Sequence, residues 1–335
     1  MRTGIVVGAI VAFIGVVLVM GMDDPLGPNS FVVIGIVSGA IYGLVALGLV
    51  LVYKGARVFN FAQAEFGTMA AFIMFVLLEQ IRSVNIPYGV AVVVAIAGAV
   101  LIGLIMERVV VRPLLDAPRI TLLVATIAFA LLLISIEIML FLPEAKTLTP
   151  MIPANAPNGE PNGIEIFKYI VSPQQMMIIG MLAILAGVMA FFFSRTNLGL
   201  AVLATSQDAF ATRVVGIGVE RMSRFIWGAA AFLGGVAGVL YVPLIPLTPG
   251  AMTTDVLIAS FTAAVLGGMT SLPGAFVGGV VVGLIQSLMV WATATWHFGN
   301  KLLGDVMPGI PDLTLLVVLL VVLSARPAGL LGQEA

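Results

Sequence analysis

Several polar residues that are able to handle a solute lie close together in a sequence that is otherwise strongly apolar. Asn60, Gln63, Glu65 and Thr68 fall within about three helical turns of one another. Glu137 lies toward the outer end of another apolar stretch, where it either faces the path or stays hydrated at the outer interface. Ionisable groups inside membrane segments are costly and usually face a cavity or a partner, so these residues are candidates for a substrate path or gate. Their polarity fits hydrogen bonding at a helix terminus and between helices equally well.

Motifs for enzymatic chemistry are absent from the sequence. None of the lysines (Lys54, Lys146, Lys168 and Lys301) lies in the G-x-x-x-x-G-K-[ST] pattern that cradles nucleotide phosphates. With one His and no Cys, disulfides, thiolate catalysis and Cys/His metal cages are excluded. We therefore expect no catalytic residue, no bound metal and no cofactor in this chain, and any ATP hydrolysis must occur on another subunit.

The composition places the chain in a membrane. Of its 335 residues, 61% are hydrophobic and 9% are charged, with a mean hydropathy of +1.19. A soluble domain carries about 25% charged residues, so water would not wet this surface. The 15 basic and 16 acidic residues nearly cancel, and basic tracts that would bind nucleic acid are missing.

Apolar stretches predict an all-α integral membrane protein, a polytopic helix bundle with about ten transmembrane segments. They lie at 4–22, 31–53, 61–79, 88–106, 120–142, 174–194, 223–245, 254–268, 273–296 and 311–324. The eighth and tenth are shorter than a simple span needs, and each is either extended by flanking residues or a half-helix. The first lacks the features of a signal peptide, so we expect an extra N-terminal helix at 4–22. Residues 1–335 are predicted to form a single transmembrane domain.

The distribution of basic residues predicts the orientation in the membrane. If every stretch crosses and both termini are cytoplasmic, the inside segments contain Arg2, Lys54, Arg57, Arg108, Arg112, Arg119, Arg195, Arg213, Arg221, Arg224 and Arg326. The outside segments contain Arg82, Lys146, Lys168 and Lys301. This asymmetry follows the positive-inside rule, and it supports a multi-pass protein with both termini in the cytoplasm. An odd number of crossings would require one short stretch to be re-entrant.

Small residues recur at a spacing that brings helices close together. Gly at every fourth position lets the backbones of neighbouring helices approach where lipid supplies no hydrophobic driving force. The candidate packing positions are Gly35, Gly39, Gly43, Gly267, Gly268, Gly274 and Gly278. The pattern indicates either ordinary tight packing or helices that slide past one another.

Two connections are long enough to have structure of their own. The outer loop 143–173 is rich in Pro, Asn and Gly, which is typical of a surface loop without a helix. The inner loop 195–222 predicts a short helix on the cytoplasmic face. Its signals are Thr205 or Ser206 as the N-cap, Asp208 in the first turn, Arg213 in the last turn and Gly216 as the stop.

Four segments carry a resemblance to a known family. They are Gly39–Gly48 leading to Val58–Phe66, Asn197–Asp208 continuing through Val215–Ile217, Val265–Gly279, and Arg326–Gly332. In this order, over roughly residues 30–332, they resemble the permease subunits of branched-chain amino acid ABC importers of the Liv type. The run Asn60-Phe61-Ala62 is similar to the H-like branch, although Gln63-Ala64 stands where the family commonly has His-Gly.

The resemblance implies a permease of the bacterial inner membrane that imports branched-chain or related amino acids. It implies two ATP-binding subunits that carry ATP and Mg²⁺, a second permease subunit (a paralogue or a second copy), and an extracytoplasmic binding protein. ATP binding would rock the permease halves between inward and outward openings. The residues expected to receive the ATPase subunits are Ser206, Gln207, Asp208, Phe210, Arg213 and Gly216.

Two other interpretations remain open from the sequence. An ion-coupled secondary transporter would use intramembrane acids, for which Glu65 and Glu137 are the candidates. The same ABC permease type could instead serve urea, short amides or amphipathic carboxylic acids, because an apolar interior suits many neutral or zwitterionic solutes. A membrane-embedded enzyme is disfavoured, since no nucleophile, metal site or acid–base group clusters in the sequence.

Overall fold

The computed structural model describes residues 28–81, 86–115, 117–153, 155, 161–166, 169–207, 209–298, 301–325 and 329–331. Most of these residues are helical. The helix expected at 4–22 lies outside the described residues. Within them, six helices are long and apolar enough to cross a membrane, and Thr253–Gly267 and Ile310–Ser324 are shorter apolar helices. The expected count of about ten crossings is therefore not confirmed.

The helices follow the apolar stretches closely and are numbered in chain order. They are α1 (Pro28–Ala56), α2 (Glu65–Phe75), α3 (Tyr88–Met106), α4 (Arg119–Phe141), α5 (Pro173–Arg195), α6 (Asn197–Gln207), α7 (Ala209–Val214), α8 (Val219–Tyr241), α9 (Ile258–Gly267), α10 (Leu272–Thr295), α11 (Leu303–Val306) and α12 (Ile310–Ala325). Wider π-helical turns extend three of them, at Val76–Gln80, Glu107–Val111 and Thr253–Leu257. Turns of 3₁₀-helix cover Arg112–Leu114 and Val242–Leu244.

Four short strands form two antiparallel hairpins. In the 143–173 segment, β1 (Ile164–Ile166) pairs with β2 (Tyr169–Val171), with Ile164 opposite Val171. After α10, β3 (His297–Phe298) pairs with β4 (Lys301–Leu302). Among the described residues of the 143–173 segment there is no helix before α5 begins.

The chain divides into two compact units. Unit 1 contains the described residues of Met1–Gly43, Ile152–Ala183 and Ile258–Ala335. Unit 2 contains those of Leu44–Met151 and Ile184–Leu257. The polar candidates and the inner loop 195–222 all lie in unit 2.

Unit 2 is built on close packing of α8 against α2 and α3. A Cβ atom on Gly238 would lie 2.1 Å from the carbonyl oxygen of Gly67, so the two backbones touch at this point. A Cβ on Gly103 would lie 2.4 Å from the Cβ of Ala231. The same Cβ would lie 3.1 Å from the carbonyl oxygen of Trp227, whose side chain is fully buried. Small residues thus bring three helices together where lipid supplies no hydrophobic push.

Unit 1 packs α10 against α9, α12 and the first part of α1. A Cβ on Gly39 would lie 2.6 Å from the carbonyl oxygen of Gly279, and one on Gly278 would lie 2.1 Å from that of Ala263. The start of α10 is capped by Ser271, whose hydroxyl accepts a hydrogen bond from the Gly274 amide at 3.0 Å. These contacts fix α10 along its whole length.

The helices that border these cores expose apolar side chains. On α4, Ile120 is 76% exposed and Met139 is 75% exposed; on α3, Val93 is 67% exposed. Such surfaces are unfavourable in water and suit the hydrocarbon of a bilayer. The chain is therefore a multi-pass membrane protein.

The stretch at 61–79 begins differently from the prediction. Residues 61–64 form a turn, and the helix starts only at Glu65 before it continues through the π-helical turn to Gln80. The reason is local, because the Asn60 side chain accepts a hydrogen bond from the Ala62 amide and so stabilises the turn. The helix is correspondingly shorter than a simple span.

Candidate functional site

Asn60 and Gln63 hold the turn that precedes α2. The side-chain nitrogen Nδ2 of Asn60 donates a hydrogen bond to Oε1 of Gln63 at 3.2 Å. The Gln63 side chain in turn donates from Nε2 to the carbonyl oxygen of Ala230 on α8, at 2.8 Å. Both side chains are buried and hydrogen-bonded, so in this conformation they tie the turn to α8.

Thr126 is a partner of this turn that the sequence analysis missed. Its hydroxyl oxygen accepts a hydrogen bond from the Phe61 amide at 3.2 Å and donates to the Leu123 carbonyl at 2.8 Å. A threonine in the middle of an apolar span is a weak signal, because such hydroxyls commonly bond to their own helix. Its contacts with the backbone of Phe59 and Phe61 distinguish it.

Glu65 and Glu137 come together in unit 2 although they lie on different helices. Both side chains are buried, and their carboxyl groups interact with each other. The hydroxyls of Thr68 and Thr253 lie beside the carboxyl group of Glu65. Two neighbouring carboxylates in a low-dielectric interior repel each other, and a shared proton or a bound cation relieves that repulsion.

Backbone amides of the segment before the Thr253–Leu257 turn reach this pair. The Gly250 amide donates to Oε2 of Glu137 at 2.9 Å, and the Met252 amide donates to the hydroxyl of Thr68 at 3.3 Å. Within the described part of the chain, both carboxyl oxygens of Glu65 and Oε1 of Glu137 lack a well-directed hydrogen bond. Unsatisfied buried acceptors are rare, and these three can accept a proton, a cation or an ammonium group.

The expectation that Glu137 stays hydrated is wrong. Its side chain is fully buried, on the same face of α4 as Leu122, Thr126, Ala130 and Leu133. These residues recur every three or four positions and form the inward stripe of the helix. The height of Glu137 along the helix was predicted correctly, but its height alone does not determine which face it occupies.

The inner loop begins its helical structure earlier than the sequence predicted. Helix α6 begins at Asn197, and the Thr196 hydroxyl caps it by accepting a hydrogen bond from the Gly199 amide at 3.0 Å. Thr205 is consequently inside the helix, where its hydroxyl donates to the Ala201 carbonyl at 2.8 Å. The predicted cap at Thr205 or Ser206 is wrong, because the cap signal at Thr196 comes first.

The predicted coupling residues fall at the end of α6 and in α7. Gln207 is exposed as the last residue of α6, and Gly216 follows α7 with φ +86, which ends the helix as predicted. Ser206 lies in α6, while Phe210 and Arg213 lie in α7. Asp208 lies outside the described residues, as do the side chains of Ser206, Phe210 and Arg213.

The candidate packing glycines lie in unit 1. A Cβ on Gly35 would lie 2.9 Å from the Gly283 carbonyl oxygen, and one on Gly43 would lie 3.1 Å from the Leu182 side chain. Gly267 and Gly274 pack on each other. A Cβ on Gly267 would lie 2.0 Å from the Gly274 carbonyl oxygen, and one on Gly274 would lie 2.1 Å from the Gly267 carbonyl oxygen. Gly39 and Gly278 contact α10 and α9 as described above.

Gly268 has a different role from the one predicted. It follows α9 with φ +104, a backbone conformation that residues other than glycine rarely adopt. It therefore ends α9 and starts the turn to Ser271, whose amide donates to the Gly268 carbonyl at 2.9 Å. The prediction of helix packing at this position is corrected to a turn.

Comparison with known proteins assigns the family. The sequence profile described as the branched-chain amino acid transport system permease component matches residues 31–325. The chain belongs to this family. It is 29% identical over 308 residues to the high-affinity branched-chain amino acid transport permease protein BraD of Pseudomonas aeruginosa, covering 89% of this chain and 94% of that protein.

Two further relatives of this permease family cover nearly the whole chain. LivH of Escherichia coli K12, a high-affinity branched-chain amino acid transport permease protein, is 27% identical over 312 residues, covering 89% of this chain and 94% of LivH. A probable LivH of Methanocaldococcus jannaschii is 28% identical over 319 residues, covering 92% and 94%. The family that matches residues 31–325 consists of transport permease components, and the chain is one of them.

Two of the segments that resemble the family meet in unit 1. The amides of Leu330 and Leu331, near the carboxyl end, donate to the carbonyl oxygens of Leu266 and Gly267 at 2.7 and 3.1 Å. They satisfy acceptors that the end of α9 leaves free. The two segments thus form a single structural feature.

Proposed function

We propose that this chain is the transmembrane permease subunit of an ATP-driven ABC importer for branched-chain or related amino acids. The single observation that carries the proposal is the family match over residues 31–325. The relatives BraD and LivH are matched over almost their whole length, which supports the same role for the whole transmembrane unit. The membrane-facing helices are consistent with this role.

The energy source in this proposal is a pair of separate ATP-binding subunits. The sequence has no P-loop, so ATP and Mg²⁺ bind to those partners and not to this chain. Their docking element is α6–α7, the pair of short helices between α5 and α8. Thr196 caps the start of α6 and Gly216 ends α7, so the two ends of this docking element are defined.

The remaining partners follow from the same proposal. A second permease subunit, either a paralogue or another copy, completes the path, and an extracytoplasmic binding protein delivers the solute. The bundle crosses the bacterial inner membrane about ten times with both termini in the cytoplasm, as the basic residues indicate. Transport proceeds by alternating access between inward and outward openings.

The polar cluster of unit 2 is proposed as the gate of the path. Asn60 and Gln63 hold the turn before α2, Glu137 and Thr68 accept hydrogen bonds from the Gly250 and Met252 amides, and Glu65 lies beside Glu137. All five side chains are buried. Displacing one helix of this cluster would expose carboxyl groups that can receive the ammonium group of an amino acid.

Affinity purification of the chain in mild detergent, with mass spectrometry of the retained proteins, tests the assembly. We expect one or two P-loop ATPases and a second permease to copurify. Phe210→Ala should reduce ATP-driven uptake without unfolding the bundle. Recovery of the chain alone, together with unimpaired uptake by this variant, would contradict the proposal.

A secondary transporter is the second candidate, and the Glu65–Glu137 pair is the observation that favours it. Buried acidic pairs of this kind are used for ion coupling in such proteins. The two candidates differ in their energy source. Uptake that continues without ATP and stops when a protonophore collapses the gradient would support the secondary transporter.

A further inference from the structure

Unit 2 contains a cavity of about 280 Å³ that is separate from the polar cluster. It lies among the end of α1, the start of α4, the end of α6 and the first half of α8. Its walls include apolar side chains, among them Leu114, Leu122 and Ile226. Neither transport nor ATPase docking, as proposed above, assigns a ligand to this cavity.

The polar groups of the cavity favour an anion. Arg57 and Arg119 are among its lining residues, and no acidic residue is present among the lining residues that the structure describes. Ser223 and Trp227 also line it, but their polar atoms are buried and have almost no accessible surface. The two arginines are therefore the groups that an anion in the cavity can reach, and charge-assisted hydrogen bonds from guanidinium groups favour phosphate oxygens.

Arg57 stands at a backbone position where glycine is favoured. It directly follows α1 with φ 55, and its amide donates to the Tyr53 carbonyl at 2.9 Å, as in a left-handed helix end. Its guanidinium lies over the Tyr53 ring, 6.0 Å from the centroid. Unfavourable backbone geometry of this kind persists where the surrounding structure imposes it, and it clusters at binding sites.

The depth of the cavity indicates which anion reaches it. Arg119 is the first residue of α4, and the apolar exposed face of α4 begins immediately with Ile120 and continues through Val124, which are 76% and 56% exposed. Arg119 therefore lies where hydrocarbon gives way to headgroups. By the distribution of basic residues, this is the cytoplasmic leaflet, in which anionic lipids attract Arg and Lys.

We propose that this cavity binds the phosphate of an anionic phospholipid of the cytoplasmic leaflet. Arg57 and Arg119 contact the phosphate oxygens, for which the planar guanidinium is well shaped. The acyl chains follow the apolar face of α4, and the cavity links the lipid to α6 through Thr205 and Gln207 at its wall.

Binding of phosphatidylglycerol to the purified permease tests the proposal. The protein is delipidated in detergent and its thermal unfolding is followed as phosphatidylglycerol, phosphatidylcholine or inorganic phosphate is added. We expect saturable stabilisation by phosphatidylglycerol alone. The double variant Arg57→Gln/Arg119→Gln should weaken this binding about tenfold or more, because each charge-assisted hydrogen bond contributes strongly.

Arg224→Gln is the matched control, because it removes the same charge one residue from Ser223 on the exposed side of α8. It should bind phosphatidylglycerol as the parent protein does. Equal loss of binding in this variant would overturn the proposal, since it would mean that net charge alone attracts the lipid. Equal stabilisation by inorganic phosphate would overturn the proposal that the bound phosphate belongs to a lipid, and would show that the cavity binds a soluble anion.

Asp116 tests whether the chain neutralises its own arginines. It lies between Leu115 and Ala117, which line the cavity, but is itself outside the described residues. Asp116→Asn should leave phosphatidylglycerol binding intact or make it tighter. The proposal would be overturned in favour of an internal ion pair by two results together. Phosphatidylglycerol would fail to stabilise the parent protein, and Asp116→Asn and the double arginine variant would be destabilised equally in the absence of lipid.

Discussion

Gly67 and Gly238 lie where the backbones of α2 and α8 touch, and this contact makes unit 2 sensitive to a single methyl group. Gly238→Ala places its Cβ 2.1 Å from the Gly67 carbonyl oxygen. Because backbone cannot move aside as a flexible side chain can, we expect a loss of about 1–3 kcal/mol in the free energy of unfolding. Thermal unfolding in detergent measures it.

The control for this prediction is Gly187→Ala in the same unit. Nothing lies within 4 Å of the added Cβ at Gly187, which is in the middle of α5. Alanine is the better helix former by about 0.5–1 kcal/mol, so this variant should be as stable as the parent or slightly more so. Equal losses in both variants would contradict the proposed contact.

Glu137 is expected to be structural through one oxygen and functional through the other. Glu137→Ala removes the acceptor of the Gly250 amide and leaves a space, so we expect a loss of about 2–3 kcal/mol of stability. Glu137→Gln keeps a carbonyl oxygen for that amide and removes the acidic group. It should fold normally but transport more slowly.

Uptake and unfolding temperature, measured on the same preparations, check this separation. If Glu137→Gln transports at the parent rate, the acidic group has no part in the gate. If it unfolds as early as Glu137→Ala, the hydrogen bond from Gly250 is not what holds the segment. The first result changes only the uptake prediction and the second changes only the stability prediction, so the two can be told apart.

At this scale the sequence indicated the important residue types but not their pairing. Glu65 and Glu137 stood out because acids are rare in apolar stretches. Their meeting depends on which face of α4 turns inward and on how the chain returns through Gly250, and neither is visible in the local pattern. Thr126 and Thr253 were missed because hydroxyls in helices are common.

Among the elements, α6 gives the most direct test of the proposed coupling. The Thr196 hydroxyl accepts from the Gly199 amide at its start, so Thr196→Ala should cost about 1 kcal/mol and loosen the first turn. We expect slower uptake at an unchanged rate of ATP hydrolysis, because the helix would transmit less of the stroke. Thr196→Ser keeps the hydroxyl and should preserve both rates.

Reconstituted transporter, assayed for uptake and ATP hydrolysis together, measures this effect. An unchanged ratio of uptake to hydrolysis in Thr196→Ala would show that the start of α6 takes no part in coupling. A parallel fall in Thr196→Ser would point to the methyl group and not to the cap.

The apolar stretches predicted the helices well, whereas polar connections were harder to predict. The bounds of α3, Tyr88–Met106, coincide with the predicted stretch, because a long apolar run with few breaks leaves one solution. The start of the inner-loop helix was predicted too late along the chain, because Thr205 and Ser206 resemble caps as well as Thr196 does. A cap signal identifies where a helix is able to begin, and the contact made by the hydroxyl decides where it does begin.

For the whole molecule, orientation can be tested on a chain without any cysteine. Single cysteines at Glu144→Cys and Val215→Cys occupy exposed positions on predicted opposite sides of the membrane. A membrane-impermeant maleimide should label the first in intact cells and the second only after the membrane is opened. The reverse pattern would overturn the orientation, and the cysteine-free parent gives the background.

The class of the whole molecule was evident from its composition, but the number of crossings was not. Six described helices are long enough to span, while Thr253–Gly267 and Ile310–Ser324 are too short to be assigned by length. A short apolar helix either crosses the membrane where the bilayer is thinner or ends inside the helix bundle. Hydropathy does not distinguish these two arrangements, because the helix is equally apolar in both. The family itself was recognisable because its glycine-rich segments keep their order along the chain.

Uptake of radiolabelled leucine into proteoliposomes, with the copurified ATPases and the binding protein present, tests the central claim most directly. ATP enclosed with the ATPase domains should drive uptake that a protonophore does not affect and that a non-hydrolysable ATP analogue does not support. Uptake that persists without ATP and is abolished by the protonophore would contradict the account.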